Sequence, residues 1–257
     1  MDITELNRIK SSATFKRHPW ELVRGRIIYS FLKKVKMPYK TIIDFGSGDT
    51  FLLHQLENKN IANRYYAVDN AYSQELIHAI KNHYGPSAIA FINDVKDIDS
   101  NHLPVDCLLL LDVIEHCEND LDILQTATAE NIIAKNATVL ITVPAYQFIF
   151  SGHDRLLKHY RRYSLPKLTK LCEQSGLRVS AKGYFFFSLL VVRMLQLLFE
   201  KAKLRKPSTS LDNWKSSKLM TKMMSALLWM DFKIGYFLNN IGIQIPGLSC
   251  YCICSKE

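Results

Sequence analysis

The sequence predicts an α/β fold built on a doubly wound, seven-stranded sheet that is mostly parallel, with an antiparallel last strand. Three observations support this fold class. From residue 41 onwards, short apolar runs alternate with stretches of helical periodicity, which is typical of a parallel sheet covered on both faces. A glycine-containing loop, Gly46-Ser47-Gly48, closes the first of these runs. Hydrophobic residues make up 48% of the 257 residues, which is ample for a core of this size.

The elements follow in order along the chain. A first helix is predicted over residues 19–36, where apolar residues form one stripe. Strands are predicted at 41–45, 64–68, 89–92, 106–111 and 138–143, with helices at 50–57, 73–83 and 121–133. A polar and aromatic loop follows Pro144. We then expect a helix at 165–174, capped by Ser164, and two strands at 177–184 and 248–254.

The chain divides into a sheet domain and two appended parts. We expect a helical cap at 1–40, a ligand-binding sheet domain at 41–184 with 246–257, and a helical lid or membrane-facing insertion at 185–245. The net charge of +9 is spread unevenly over these parts. Residues 41–150 carry 15 acidic and 5 basic side chains, whereas residues 1–40 carry 3 and 10, and residues 151–257 carry 6 and 18. An acidic middle segment argues against a nucleic-acid site there.

The segment from Asp44 to Gly48 indicates the kind of ligand. Glycines after a strand allow a tight turn and a close approach of a ligand to the backbone. Phe51 replaces the third glycine of a dinucleotide-binding loop, and Asp44 at the strand end would repel a pyrophosphate. Asp44 instead suits the cationic amino end of a methionine-like ligand. Asp69, at the end of the second strand, is well placed to accept both hydroxyls of a ribose.

Residues 41–143 resemble a class I S-adenosylmethionine (SAM)-dependent methyltransferase, a family with a Rossmann-like sheet. Asp44, Gly46 and Gly48 match the family's first motif, and Asp69 matches its ribose-binding acid. Residues 111–116 resemble a motif of the small-molecule subgroup that includes ubiquinone and menaquinone methyltransferases. The resemblance implies SAM as cofactor, S-adenosylhomocysteine as product, and a set of cofactor-binding residues: Asp44, Phe45, Gly46, Gly48, Asp69, Asn70, Asn93, Asp94, Val95, Leu111, Asp112 and His116. Asp49 departs from the family pattern, because many members have a further glycine there.

The loop at 145–163 is expected to cover the reacting methyl group, since ligands bind beyond the carboxyl ends of such strands. We expect His153 or His159 to act as a general base, with Asp154 orienting it. Four further residues of the loop are expected to contact the substrate: Tyr146, Tyr160, Arg161 and Arg162. The alternative is that the histidines only hydrogen-bond the loop and that the two arginines pair with acidic residues.

Glu115 and His116 follow the fourth strand. In the quinone O-methyltransferases that this motif resembles, a comparable pair can hold a divalent ion. The sequence shows only two adjacent ligands, so we assign no metal. We expect His116 to lie near the methionine part of the cofactor instead.

The insertion contains basic amphipathic stretches rich in Leu, Met and Phe. Such stretches favour peripheral contact with a membrane surface, here through residues 184–240, or cover for an apolar substrate. A buried lid or a homodimer contact is the alternative. Arg193 makes the first stretch a poor transmembrane span, and the chain start lacks a secretory signal pattern. We therefore expect a cytoplasmic protein, free or peripheral on the inner face of the membrane.

The expected activity is methyl transfer from SAM to an oxygen, nitrogen or activated carbon of a small acceptor. The acceptor is expected to be hydrophobic or anionic, of an aromatic or lipid-like type such as a phenol, polyketide or quinone, with a glycan sugar as the next choice. No nucleic-acid partner is expected. Two alternatives stay open: an NAD-type oxidoreductase on the same fold, and a non-catalytic SAM-binding subunit of a membrane-associated biosynthetic assembly.

Overall fold

The computed structural model describes residues 16–201, residue 214 and residues 216–257, and these residues contain one seven-stranded sheet. The strands are β1 (Tyr39–Phe45), β2 (Ala62–Val68), β3 (Ile89–Ile92), β4 (Val105–Leu111), β5 (Ile133–Pro144), β6 (Leu177–Phe185) and β7 (Ser249–Lys256). Their order in the sheet is β3-β2-β1-β4-β5-β7-β6. Neighbouring strands pair in parallel except at β7, which is antiparallel to both β5 and β6. The predicted fold class is confirmed, including the antiparallel last strand.

Helices flank the sheet. They are α1 (Pro19–Val35), α2 (Phe51–Glu57), α3 (Gln74–Tyr84), α4 (Asp120–Ala127), α5 (Gly152–Leu156), α6 (Leu165–Gln174), α7 (Phe187–Lys201) and α8 (Lys218–Asn240). A one-turn 3-10 helix, Ile114–His116, follows β4. Most predicted bounds agree with the structure to within a few residues.

The predicted helix at 121–133 is the largest difference. α4 ends at Ala127, and Thr128 closes it by donating its hydroxyl to the Leu124 carbonyl at 2.7 Å. Ile133 then pairs with Val105, so β5 begins five residues before the predicted strand. Ile132 and Ile133 are both buried, and an apolar pair can serve a helix or a strand equally well.

The strands bury alternate side chains in two cores, one on each face of the sheet. In β1, Ile42 belongs to the core beneath α1, α2 and α8, whereas Ile43 belongs to the core beneath α4 and α6. In β7, Cys250, Cys252 and Cys254 all face the second core and are buried, as their alternation predicts. A sheet covered on both faces explains why its strands read as nearly continuous apolar runs.

The order of the strands places a crevice at one edge. From β1 the chain adds β2 and β3 on one side of the sheet and then β4 and β5 on the other side. The strand order therefore reverses between β1 and β4. In open α/β sheets, ligands bind outside the carboxyl ends of the strands at such a switch point. The glycine-containing loop after β1 and the turn after β4 both lie there.

The insertion before β7 is helical. α8 packs on α1, where the Phe31 and Phe232 rings lie 5.6 Å apart, and the Ser188 hydroxyl of α7 donates to Asp231 of α8 at 2.7 Å. Residues 1–15 of the expected cap, and residues 202–213 and 215 of the expected insertion, lie outside the described residues. None of the helices among the described residues combines the length and apolar character needed to cross a bilayer.

Candidate active site

A cavity of about 1150 Å³ opens at the carboxyl ends of β1, β2, β3 and β4. Eleven of the twelve residues expected to bind the cofactor line it: Asp44, Phe45, Gly46, Asp69, Asn70, Asn93, Asp94, Val95, Leu111, Asp112 and His116. Gly48 does not line the cavity, but its N–H donates to the Asp69 carboxylate at 3.3 Å. The expected residues are therefore brought together in one place.

The loop after β1 is shaped by left-handed backbone. Gly46 and Gly48 have φ values of +73° and +57°, a region that a residue with a Cβ enters only with strain. A Cβ on Gly46 would also lie 2.7 Å from a methyl of Val113, so the loop can approach the turn after β4 only without a side chain. The Gly46 N–H donates to the Val68 carbonyl at 2.7 Å, which fixes the loop on β2.

Asp49, the residue that departs from the expected glycine pattern, is buried and bonded within the protein. Its carboxylate accepts from the Phe51 N–H at the start of α2 at 3.1 Å and pairs with the Arg17 guanidinium. Arg17 also bonds Tyr84 and Glu21, so the segment before α1 is attached to the glycine loop. Asp49 therefore anchors the N-terminal segment over the cavity.

Asp44 and Asp69 supply negative charge at the ends of β1 and β2. Each is only 4% exposed. Burial raises the pKa of Asp44 to about 7; the Arg24 guanidinium opposes this rise, and the carboxylates of Asp69 and Asp49 add to it. The Asp69 carboxylate accepts from the N–H of Ala71 at 3.0 Å, besides that of Gly48. A cation bound beside Asp44 would relieve the cost of its ionised form.

Two arginines at the cavity were missed from the sequence. Arg24 of α1 forms an ion pair with Asp112 at 2.9 Å, and Asp112 also accepts from the Thr142 hydroxyl at 3.0 Å. Arg17 and Arg24 both line the cavity. Arg17 lies two residues before α1 and Arg24 lies within it, so the two do not share a helix face, and no spacing in the sequence identifies the pair.

His153 and His159 line the cavity, and the neighbouring Asp154 is fully buried. The Asp154 carboxylate bonds the Nδ1 atom of His159 at 3.1 Å and accepts from the Arg162 Nε at 2.6 Å and from the Ser151 N–H at 2.9 Å. Burial disfavours the ionised form, but the hydrogen bonds from His159, Arg162 and Ser151 prevail and hold the pKa of Asp154 well below its usual range. Burial lowers the pKa of His153, with Asp154 opposing the change, which favours the neutral imidazole.

The four residues expected to contact the substrate do not line the cavity. Arg162 is paired with Asp154, Arg161 forms an ion pair with Asp120 at 3.1 Å, and the Tyr146 ring stacks on Tyr184 at 5.3 Å. Tyr160 is 54% exposed at the surface, while its backbone N–H donates to the Glu115 carbonyl at 2.8 Å. Buried or half-buried acidic groups attract both arginines into the protein, which is the alternative that the sequence left open.

Glu115 and His116 lie on the turn after β4 and line the same side of the cavity as His159. The Glu115 side chain is completely buried, and neither carboxylate oxygen has a hydrogen-bond partner among the described residues. Burial and the neighbouring Asp112 charge raise its pKa well above the ordinary value. The His116 and His159 rings meet edge to face with 4.6 Å between their centres.

Comparisons with known proteins identify the fold. No family model matches the chain, and no curated protein matches it in sequence. Solved structures do match. A SAM-dependent methyltransferase from Archaeoglobus fulgidus is 14% identical, with a TM-score of 0.52 over 97% of this chain and 96% of the other. The methyltransferase domain of bacterial CtHen1 is 16% identical, with a TM-score of 0.55 over 91% and 97%.

A third match is phosphoethanolamine N-methyltransferase 2 from Haemonchus contortus in complex with SAM. It is 12% identical, with a TM-score of 0.56 over 91% of this chain and 52% of the other. At these identities the likeness establishes architecture alone. The chain therefore has the class I fold of SAM-dependent methyltransferases.

Proposed function

We propose that this protein is a SAM-dependent methyltransferase that acts on a small acceptor. The observation that carries the proposal is the pair of buried carboxylates, Asp44 and Asp69, at the ends of adjacent strands inside one cavity. The first complements a cationic amino group and the second a ribose diol, at the position where this fold binds ligands. When bound, SAM supplies a methyl group on a sulfonium ion for in-line displacement.

Different residues of the cavity bind different parts of SAM. Asp44 holds the amino group, and the charge of Arg24 favours the ionised form of this carboxylate. Asp69 accepts from the ribose hydroxyls while the N–H groups of Gly48 and Ala71 fix its orientation. Val95 presents an apolar surface to the adenine, flanked by Asn93 and Asp94. Preorganised groups of this kind lower the entropic cost of bringing donor and acceptor together.

A general base is the second part of the proposal. An oxygen or nitrogen acceptor must lose a proton, and a group that is neutral near pH 7 serves best. His153 and His159 both line the cavity, and His159 is oriented by Asp154. Arg162 acts through Asp154 as a positioning residue rather than by touching the acceptor.

The acceptor is proposed to be a small, apolar or aromatic molecule such as a phenol, polyketide or quinone. The cavity exceeds the roughly 300–1,000 Å³ of a typical single-ligand site, which leaves room for an acceptor beside the cofactor. Its lining includes the apolar side chains of Ile98, Leu103 and Ile123. Apolar side chains in the cavity favour an acceptor with a hydrophobic body.

Calorimetry with SAM, S-adenosylhomocysteine and NAD tests the cofactor. We expect micromolar binding of the first two and none of NAD; NAD binding without SAM binding would refute the proposal in favour of the oxidoreductase. Turnover is tested by transfer of a labelled methyl group from SAM to a panel of phenols, quinols and sugars. SAM binding without transfer to any acceptor would favour the non-catalytic subunit.

We propose, in addition, that α8 docks on an anionic membrane surface. Leu219, Met223, Leu227, Met230, Ile234 and Phe237 are each between 46% and 69% exposed. Their spacing of three or four residues places them along one side of the helix, and Lys218, Lys222 and Lys233 lie beside that side. An apolar stripe flanked by lysines suits the boundary between acyl chains and anionic headgroups.

Flotation with phosphatidylglycerol vesicles and with phosphatidylcholine vesicles tests the docking. We expect binding to the anionic vesicles that is lost at about 0.5 M salt, where the Debye length is about 4 Å instead of about 10 Å at 0.1 M. Changing Met223 and Met230 to Gln should abolish it, while Glu75→Gln on exposed α3 should not. A stable dimer that the Met variants dissociate, without vesicle binding, would instead assign the stripe to a second copy of the chain.

A further inference from the structure

Trp20 is a large aromatic residue of the cavity that has no role in the function proposed above. It lies in the first turn of α1, is half-buried, and packs against the core beneath that helix. It also lines the cavity. Trp20 and Arg24 are four residues apart within α1, so both side chains project from the same face of the helix.

Contacts on either side of Trp20 locate it in the site. Three residues earlier, Arg17 pairs with Asp49 of the loop after β1. Four residues later, Arg24 pairs with Asp112 of the turn after β4 at 2.9 Å. Trp20 therefore lies over the end of β1, where the methionine part of SAM is expected, rather than at the end of β3, where the adenine is expected.

The carboxylates nearest to this position are already bonded. Asp112 pairs with Arg24 and accepts from the Thr142 hydroxyl. Asp49 pairs with Arg17. A free carboxylate beside a sulfonium would in any case be open to methylation, because its oxygen lone pairs can attack the methyl carbon. The face of an aromatic ring attracts a cation through its quadrupole without offering such a lone pair.

The ring of Trp20 differs from those of the two phenylalanines that line the cavity, Phe45 and Phe51. The Phe51 ring already carries the Arg17 guanidinium, 4.1 Å from its centre. Phe45 packs against the core on the opposite face of the sheet. Among the described residues, no Lys or Arg side chain lies over the ring of Trp20, and indole is the aromatic ring that attracts cations most strongly.

We propose that Trp20 is a specificity-determining residue that attracts the sulfonium of SAM and so favours SAM over S-adenosylhomocysteine. The inference rests on the proposed function. Methyl transfer breaks the bond between the sulfur and the methyl carbon, the electron pair stays on the sulfur, and the positive charge there disappears. Because the product is a neutral thioether, the attraction of the ring is lost in the same step, which favours release of the product.

Calorimetry of the full chain at pH 7.5 with three ligands tests the proposal: SAM, S-adenosylhomocysteine, and sinefungin, which carries a protonated amine instead of the sulfonium and has no methyl group to transfer. We expect Trp20→Leu to weaken binding of SAM and sinefungin about threefold to 30-fold and to leave that of S-adenosylhomocysteine unchanged. Trp20→Phe keeps a weaker ring and should lose less. The matched control is Trp229→Leu, since Trp229 lies in α8 outside the cavity lining, with Arg26 3.8 Å from its ring centre; it should change no affinity.

Three results would overturn the proposal. Equal weakening of all three ligands by Trp20→Leu would mean that the ring packs on a part that they share, and unchanged SAM binding would mean that it contacts none of them. Weaker binding of SAM alone would assign the ring to the methyl group rather than to the charge. Thermal melting, together with the affinity for S-adenosylhomocysteine, establishes that each variant is folded.

The two proposals fail separately. A parent protein that binds neither SAM nor S-adenosylhomocysteine refutes the proposed function. A parent protein that binds both, combined with equal losses of affinity in Trp20→Leu, refutes only the role of Trp20.

Discussion

Replacing Asp44 by Asn should stabilise the protein and abolish its affinity for SAM. Asp44 has a pKa of about 7 against an ordinary value of 3.8, because burial penalises its ionised form. A rise of about three pKa units corresponds to about 4 kcal/mol of destabilisation once the group is ionised. The amide has the same shape and no charge, so it removes this cost.

The sign of the effect fixes its pH dependence. Well below pH 3.8 the carboxyl is protonated in both the folded and the unfolded chain, so the ionisation cost is absent. Between pH 4 and 7 the unfolded chain releases the proton first, and the free energy of unfolding of the unsubstituted protein falls. Above pH 7 the carboxyl is ionised in both states, and the loss of unfolding free energy that ionised Asp44 causes is constant. The stability gain of Asp44→Asn should therefore grow from near zero at pH 4 to its full size above pH 7.

Calorimetric melting of the two proteins from pH 4 to 8 measures this difference. For a chain of this length, 1 kcal/mol corresponds to about 2–4 °C in Tm, so a gain of about 4 kcal/mol should raise the Tm by about 8–16 °C at pH 8. SAM affinity of the unsubstituted protein should rise about tenfold per pH unit from 5.5 toward 7. A variant that is no more stable at pH 8, or that binds SAM as the parent does, would refute this reasoning.

Three further substitutions test other contacts of the protein. Asp69→Ala should lower SAM affinity at least 30-fold by calorimetry, since charge-assisted hydrogen bonds contribute about 1.5–3 kcal/mol each. Glu75→Ala is the control. Equal SAM affinities of the parent protein and Asp69→Ala would contradict the ribose assignment. Arg24→Met removes the cation that lowers the pKa of Asp44, so the pH at which SAM affinity levels off should move above 7, whereas Arg26→Met on the same helix should leave it unchanged. Gly247→Ala would place a Cβ 2.3 Å from the Phe185 carbonyl oxygen and should lower the Tm by about 6–12 °C, while Gly235→Ala, with no atom within 4 Å, should not.

The fold, and the gathering of the expected cofactor residues in one cavity, could be predicted because they depend on local signals. Asp44 and Asp69 each end an apolar strand, and parallel strands bring their carboxyl ends to one edge. The glycines mark the turn between strand and helix, and their positive φ values are the reason that glycine is needed there.

The contacts of the loop after β5 could not be predicted as well, because its geometry depends on contacts between distant segments. Arg162 was expected to face the substrate, but the buried Asp154 carboxylate holds it at 2.6 Å. Glu115 and His159 are brought together by the Tyr160 backbone hydrogen bond, which no sequence periodicity encodes. Arg24 was missed because the apolar stripe of α1 is the stronger signal in that segment.

The position of α1 has a kinetic consequence. The helix carries Arg24 into the cavity, yet Val23, Ile27, Ile28, Phe31 and Leu32 on its other side are at most 2% exposed. Burying five such side chains contributes about 8–15 kcal/mol, as much as the whole free energy of unfolding of a typical domain. Lifting α1 would therefore cost about as much as global unfolding, and its amide protons should exchange only with the slowest set in the protein. α1 therefore does not move aside to admit ligands, and ligands must enter and leave the cavity past the loops on its other sides.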